Sequence, residues 1–183
     1  MQIATILAVL RRMATSSAAG SGPLSALPAE LAELLDGPAV MYIATRNAAL
    51  EPLSALAFGL EASADGREAT VFVPAVLSTP TLANLRDNGQ VAVTLVRPTN
   101  HRSLQIKGVW LGERRTTDDD RARLLRYRDA MLDEMSTVGV PRSIWHRVVW
   151  WPAVALRIEV RDAFVQTPGP GAGRRAEPPA GAP

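Results

Sequence analysis

"QVAVTLVRPTNHRSLQIKGVWLGERR", residues 90–115, decides how this chain folds. "QVAVTLVRP" and "RSLQIKGVWLGERR" both read as strands, and only "PTNH" lies between them. A connection that short joins antiparallel neighbours, because parallel strands need a crossover of a dozen residues or more. Alternation in the second strand sends Ser103, Gln105 and Lys107 to one face and Leu104, Ile106 and Trp110 to the other. Lys107 is the only lysine in the chain, and a glycine follows it directly. A polar face of this kind is either a solvated sheet surface or the wall of a binding site.

Working outward, the flanking sequence repeats the antiparallel pattern. "AVMYIATR" (39–46) is rich in β-formers, "NAALEP" can turn, and "LSALAFGLEA" (53–62) reads as a second strand. "ADGRE" is a turn leading into "ATVFVP" (69–74), which predicts three strands in an antiparallel meander. "TPTLANLRDNG" (79–89) predicts a short helix with Thr79 as N-cap, Pro80 as its first residue and Asn88-Gly89 as its stop; Leu82 and Leu85 share a face. "TTDDDRARLLRYRDAMLDEM" (116–135) is the clearest helix. Three aspartates sit at its positive end, and Leu124, Leu125, Met131, Leu132 and Met135 share an apolar side. "AVALRIEVRDAFVQ" (153–166) alternates as a strand, with Leu156, Ile158 and Val160 on one face. Before all of these, "LPAELAELLDG" (27–37) reads as an amphipathic helix. The succession is helix, three strands, short helix, two strands, long helix and late strand. It predicts a mainly β protein with helices, an antiparallel β-barrel flanked by helices.

At 183 residues and 47% hydrophobic content the chain suits one core. The expected domain spans residues 27–167. Residues 1–26, with the Gly/Ser/Ala-rich "SSAAGSGPLSA", read as an extension, and the Pro/Gly-rich 168–183 read as an unpacked tail. Arginines follow the apolar run near Met1 instead of preceding it, and that run is far shorter than a membrane span, so neither a secretory signal nor a membrane partner is expected. Without Arg11, Arg12, Arg174, Arg175 and Glu177 the chain holds 16 basic and 17 acidic residues, so a nucleic-acid partner is not expected either. The chain has no cysteine, which excludes disulfides, thiolate metal sites and cysteine nucleophiles, and is compatible with a reducing cytoplasm, the expected location.

Metal chemistry finds little footing. His101 and His146 have no zinc-ligand spacing, and Asp118, Asp119 and Asp120 are explained by helix capping. No GxGxxG or P-loop is present, and no catalytic residue stands out. Ser78, Thr79 and Thr81 gather where a helix is expected to start, as either caps or an anion cradle. "WHRVVWW" (145–151) reads as core or interface before it reads as a ligand wall.

Together, "YIATRNAALEPLSALAF", "VFVP", "STPTLANLRDNGQVAVTL" and "RSLQIKGVWLGE", in this order between Leu27 and Phe164, resemble the FMN-binding split-barrel proteins related to pyridoxamine 5′-phosphate oxidase. The resemblance implies a homodimeric split β-barrel with FMN at the dimer interface, acting as an oxidoreductase on a small-molecule substrate. Ser78 and Thr79, with Thr81, would line the phosphate; Gln105 and Lys107 would lie beside the flavin; Pro52 and Ser54 would sit on the strand approaching its ring system. Pro80 and Thr81 stand where pyridoxamine phosphate oxidases carry basic residues, and Arg46, Arg86, Arg97 and Arg102 are the candidates to replace that clamp. The C-terminal substrate motif is also missing from "RIEVRDAFVQ", so vitamin B6 oxidation is not expected. The alternatives are a non-catalytic carrier of haem, flavin or deazaflavin F420, and a dimeric barrel with no cofactor.

Overall fold

A computed structural model describes residues 32, 34–35, 37–63 and 65–176. Seven strands form one antiparallel sheet: β1 (Val40–Arg46), β2 (Pro52–Ala57), β3 (Leu60–Ala62), β4 (Glu68–Pro74), β5 (Gln90–Val96), β6 (Ser103–Arg115) and β7 (Ala153–Val165). Their spatial order is β2-β1-β5-β6-β7-β4-β3. The 90–115 stretch is the expected hairpin, paired from Val96↔Ser103 to Gln90↔Val109.

The sheet curls until its two margins touch. β2 lies at one edge, yet the chain leaves it through Phe58 and Gly59 to become β3 at the other. At this corner Phe58 N–H donates to Phe72 O (2.8 Å) and Phe72 N–H to Gly59 O (3.3 Å), so β2 ends against β4 without a regular ladder closing the barrel. "LSALAFGLEA" is therefore two strands, not the one expected. Gly59 takes φ +83°, and a Cβ there would lie 2.9 Å from Leu124 Cδ2. A chain turning this sharply under a helix tolerates only glycine. Both expected hairpins, β1–β2 and β3–β4, form, but the break at Phe58 and Gly59 sends them to opposite edges of the sheet, and β4 takes the distant β7 as its other neighbour.

Inside the curl, alternate residues make the core. Ile43, Val71, Val93, Leu95, Leu104, Ile106, Leu156 and Ile158 are all at most 1% exposed. Leu34 and Leu35, in a helical segment before β1, pack onto it; Leu31 and Pro28 lie outside the described residues. The long strands β6 and β7 bend at irregularities between Lys107/Gly108 and Trp110/Gly112. Such bulges let a sheet turn without losing its pairing.

Helix α1 (Ala75–Asn88) follows β4 directly and rests on β1, β2, β4, β5 and β7, placing Leu85 in the core. It starts four residues before the expected cap. Pro74, in extended conformation, is its N-cap, and Pro80 lies within the helix. A proline in the second turn removes one backbone bond and crowds the carbonyl of Val76, yet the helix runs through it. Gly89 is the left-handed stop, as expected.

Helix α2 (Asp118–Thr137) begins at a full capping box. Asp120 N–H donates to Thr117 Oγ1 (3.2 Å), and Thr117 N–H donates to Asp120 Oδ2 (2.8 Å). Asp120 also accepts two bonds from Arg114, at 2.5 and 3.0 Å, which hold its carboxyl at about 2 despite burial. Leu124, Met131 and Leu132 are buried as the spacing requires, but Leu125 is 38% exposed. A one-turn helix, α3 (Arg142–Trp145), follows α2 and was not foreseen. Trp145, Trp150 and Trp151 pack beside a second cluster of Phe58, Phe72, Leu124, Ala153 and Ala155. That is the core use expected for them. Among the described residues no helix is long and apolar enough to cross a membrane.

Candidate functional site

The outer face of the sheet, opposite the core, is built by strand register. Two adjacent rows cross it. One runs Leu56↔Tyr42↔Thr94↔Gln105↔Phe164, the other Ser54↔Ala44↔Ala92↔Lys107↔Asp162. Neighbouring strands lie about 4.8 Å apart, so each row of five spans roughly 19 Å. Directly opposed residues share a face, so Ser54, Gln105 and Lys107 stand together on it. Pro52 belongs to the next row, opposite Arg46, whose guanidinium donates to Gln90 Oε1 at 3.0 Å.

The middle of this face has the smallest side chains. Ala44 and Ala92 carry only methyl groups, and Ala92 is 5% exposed. Around them stand Tyr42, Ser54, Thr94, Gln105 and Lys107. Gln105 is 2% exposed and donates from Nε2 to Thr94 Oγ1 at 3.1 Å. The polar side of β6 is thus buried here, unlike a solvated sheet surface. Lys107 Nζ lies 5.0 Å from the centroid of the Phe164 ring. Burial raises the Tyr42 hydroxyl above its ordinary value, so it remains a neutral donor through the physiological range. Ser54 and Pro52 are exposed on the edge strand β2.

Gly108 answers why a glycine follows the lysine. A Cβ there would lie 2.0 Å from the Glu159 carbonyl oxygen and 2.8 Å from Ile158 Cγ2. The glycine lets β7 cross close beneath β6 at the bulge, where the pairing slips from Lys107↔Asp162 to Gly108↔Val160.

The remaining expected residues lie elsewhere. With the helix starting at Ala75, Ser78 and Thr81 fall inside it and are buried. Ser78 Oγ donates to Ala75 O (2.9 Å) and Thr81 Oγ1 to Leu77 O (3.4 Å). Thr79 is exposed between them. Hydroxyls in mid-helix commonly bond back to the preceding turn, and these do. Arg102 is exposed in the β5–β6 turn, where its N–H donates to Asn100 Oδ1 at 3.0 Å. No described contact joins Ser78, Thr79 or Thr81 to Lys107.

Sequence reasoning missed Tyr42, Ala44, Ala92 and Thr94, though their parity along β1 and β5 was readable; the register joining the strands was not. Among the described residues no group of three or more His, Cys, Asp or Glu side chains is arranged to hold a metal ion.

No protein-family model matches the chain, and no curated protein matches it significantly. Solved structures do. Group A Streptococcus HupZ shares 18% identity over 80% of this chain and 99% of its own, with a TM-score of 0.48. An FMN-binding protein from Syntrophomonas wolfei shares 13% over 73% of this chain and 86% of its own, at 0.45. A Clostridium acetobutylicum protein related to general stress protein 26, described under the pyridoxinephosphate oxidase family, shares 14% over 74% of this chain and 84% of its own, at 0.45. All three scores are below 0.5, and the architecture above stands on the strand pairing of this chain alone.

Proposed function

We propose that the outer face of β1, β2, β5 and β6 binds the ring system of a flavin, FMN in the first instance, and that the protein is a flavin-dependent oxidoreductase acting on a small molecule. One observation carries this reading: the alanine floor of Ala44 and Ala92 lies within a rim of hydroxyl, amide and ammonium groups, all on one face. A planar ring with polar edges needs a flat apolar bed and donors at its margin. Gln105 and Lys107 supply donors on one side, Ser54 and Pro52 the opposite margin. The bound flavin would supply the hydride or electron chemistry; these residues would orient it and exclude water. A second copy of the chain, seated over the exposed edge at β2, would complete the wall as a homodimer. The absence of cysteine suits a cytoplasmic setting.

The second reading is a barrel that carries haem or deazaflavin F420 without turnover, or no cofactor. It is favoured by Ser78 and Thr81, whose hydroxyls donate to carbonyls of their own helix. Under the flavin reading the phosphate falls to Lys107 and neighbouring arginines.

Titration with FMN, followed by flavin fluorescence, tests the choice. Saturable quenching at micromolar FMN is expected, with Lys107→Ala weakening it about tenfold, the loss of one charge-assisted contact of about 1.4 kcal/mol. No quenching and no flavin bands in the purified protein would sink the flavin reading.

A further inference from the structure

Lys107 stands opposite Asp162 in the second row of the outer face, but its ammonium leans into the first row and lies over the ring of Phe164, which is opposite Gln105. Such a diagonal neighbour, two residues along the facing strand, is within reach of long and aromatic side chains. Asp162 itself is ion-paired with Arg175. Phe58 and Phe72, the other two phenylalanines of the chain, are at most 2% exposed in the core cluster beside the tryptophans. Phe164 is half-buried on the outer face and belongs to neither core cluster. Core packing therefore does not account for its ring.

The backbone at Phe164 is held from both sides. β6 pairs with it on one side, and on the other lies a part of the chain expected to be an unpacked tail. After a turn over 167–173 the backbone returns along the free edge of β7. Gly173 N–H donates to Val165 O (2.7 Å), Val165 N–H to Arg174 O (3.0 Å) and Ala176 N–H to Ala163 O (2.8 Å), and Arg175 bridges to Phe164. Ala176 is 2% exposed within the core. Phe164 thus sits in an interior stretch of sheet, although β7 ends one residue later.

We propose that Phe164 is a positioning residue for Lys107: its ring face holds the chain's single ammonium in the Gln105 row, where it meets an oxyanion of the bound ligand, such as a phosphate monoester. A ring attracts a cation through its quadrupole and cancels no charge, so the ammonium keeps its full attraction for an incoming anion. A lysine on a flexible four-carbon stem otherwise loses rotamer freedom when the ligand arrives; one already resting on a ring has lost part of it beforehand. This inference rests on the outer face being the ligand site.

Because Lys107 is the only lysine, protein labelled with ¹³C-lysine gives one Cε–Hε correlation, and the ring beneath it should hold that signal upfield of free lysine. Inorganic phosphate at constant ionic strength, and FMN, should each move the native signal saturably. Phe164→Leu keeps an apolar cover for the lysine stem but has no ring face, and should bind both anions about fivefold more weakly. Phe164→Tyr keeps the face and should keep the upfield signal and the native affinity. Pentafluorophenylalanine in place of Phe164 keeps the shape of the ring but makes its face electron-poor, and should bind phosphate as weakly as Phe164→Leu does. Native affinity in Phe164→Leu or in the fluorinated protein overturns the proposal, since the ring would then be a cover and nothing more. A native signal at the free-lysine position, or one that neither anion moves, overturns it as well. The expected pattern with phosphate, in a protein that leaves flavin fluorescence unquenched, upholds Phe164 and rejects only the flavin.

Discussion

The first half of β6 has two faces, and both are buried by different means. Leu104 and Ile106 point inward and are at most 1% exposed among other aliphatic side chains. Ser103 and Gln105 point outward and are 7% and 2% exposed, but polar bonds meet them there: the Ser103 backbone N–H donates to Thr167 Oγ1, and Gln105 Nε2 donates to Thr94 Oγ1. Burial alone therefore does not separate core from site in this molecule. What separates them is how the buried surface is satisfied. The inner face gains from leaving water, whereas the outer face must replace each bond to water with one to the protein.

The comparison can be broken by changing adjacent residues of the one strand. Ile106→Ala should have the largest effect, about 2–5 kcal/mol of stability lost to a cavity that the curled sheet cannot collapse to fill, read as a lowered urea midpoint. Gly108→Ala comes next, at about 1–3 kcal/mol, because its methyl would meet the Glu159 carbonyl and force β6 and β7 apart. A thermal shift near zero would show that the bulge yields and that the close approach is not required. Gln105→Ala should cost only about 1 kcal/mol, the loss of its bond to Thr94, while weakening FMN binding several-fold. The reverse result, a large loss of stability with unchanged affinity, would make the outer face a second core and not a binding surface.

Much of the fold was legible beforehand. The 90–115 hairpin, the alternation of β7 and the cap of α2 each depend on residues close in sequence, so local periodicity and capping chemistry suffice to read them. Of the candidate site, the polar face of β6 was legible for the same reason. The start of α1 was not, because Thr79-Pro80 carries a strong local cap signal, whereas the helix begins directly at the end of β4 with Pro74 as its N-cap. The splitting of 53–62 was not legible either, because the corner at Gly59 carries the chain from one edge of the sheet to the other, an outcome of pairings far along the chain.

By itself, then, the sequence determined that the chain is antiparallel and mainly β, which residues of each strand share a side, and that one lysine stands on a polar one. Only the tertiary structure decided that β4 takes β7 as its second neighbour, that Tyr42, Ala44, Ala92 and Thr94 join Gln105 and Lys107 in two rows, and that Arg175 comes back to pair with Asp162. The physical reason is the range of the forces concerned. Side-chain alternation is a property of a single strand, whereas register and partner choice come from long-range pairings whose cost and gain are settled only when the whole sheet closes around its core.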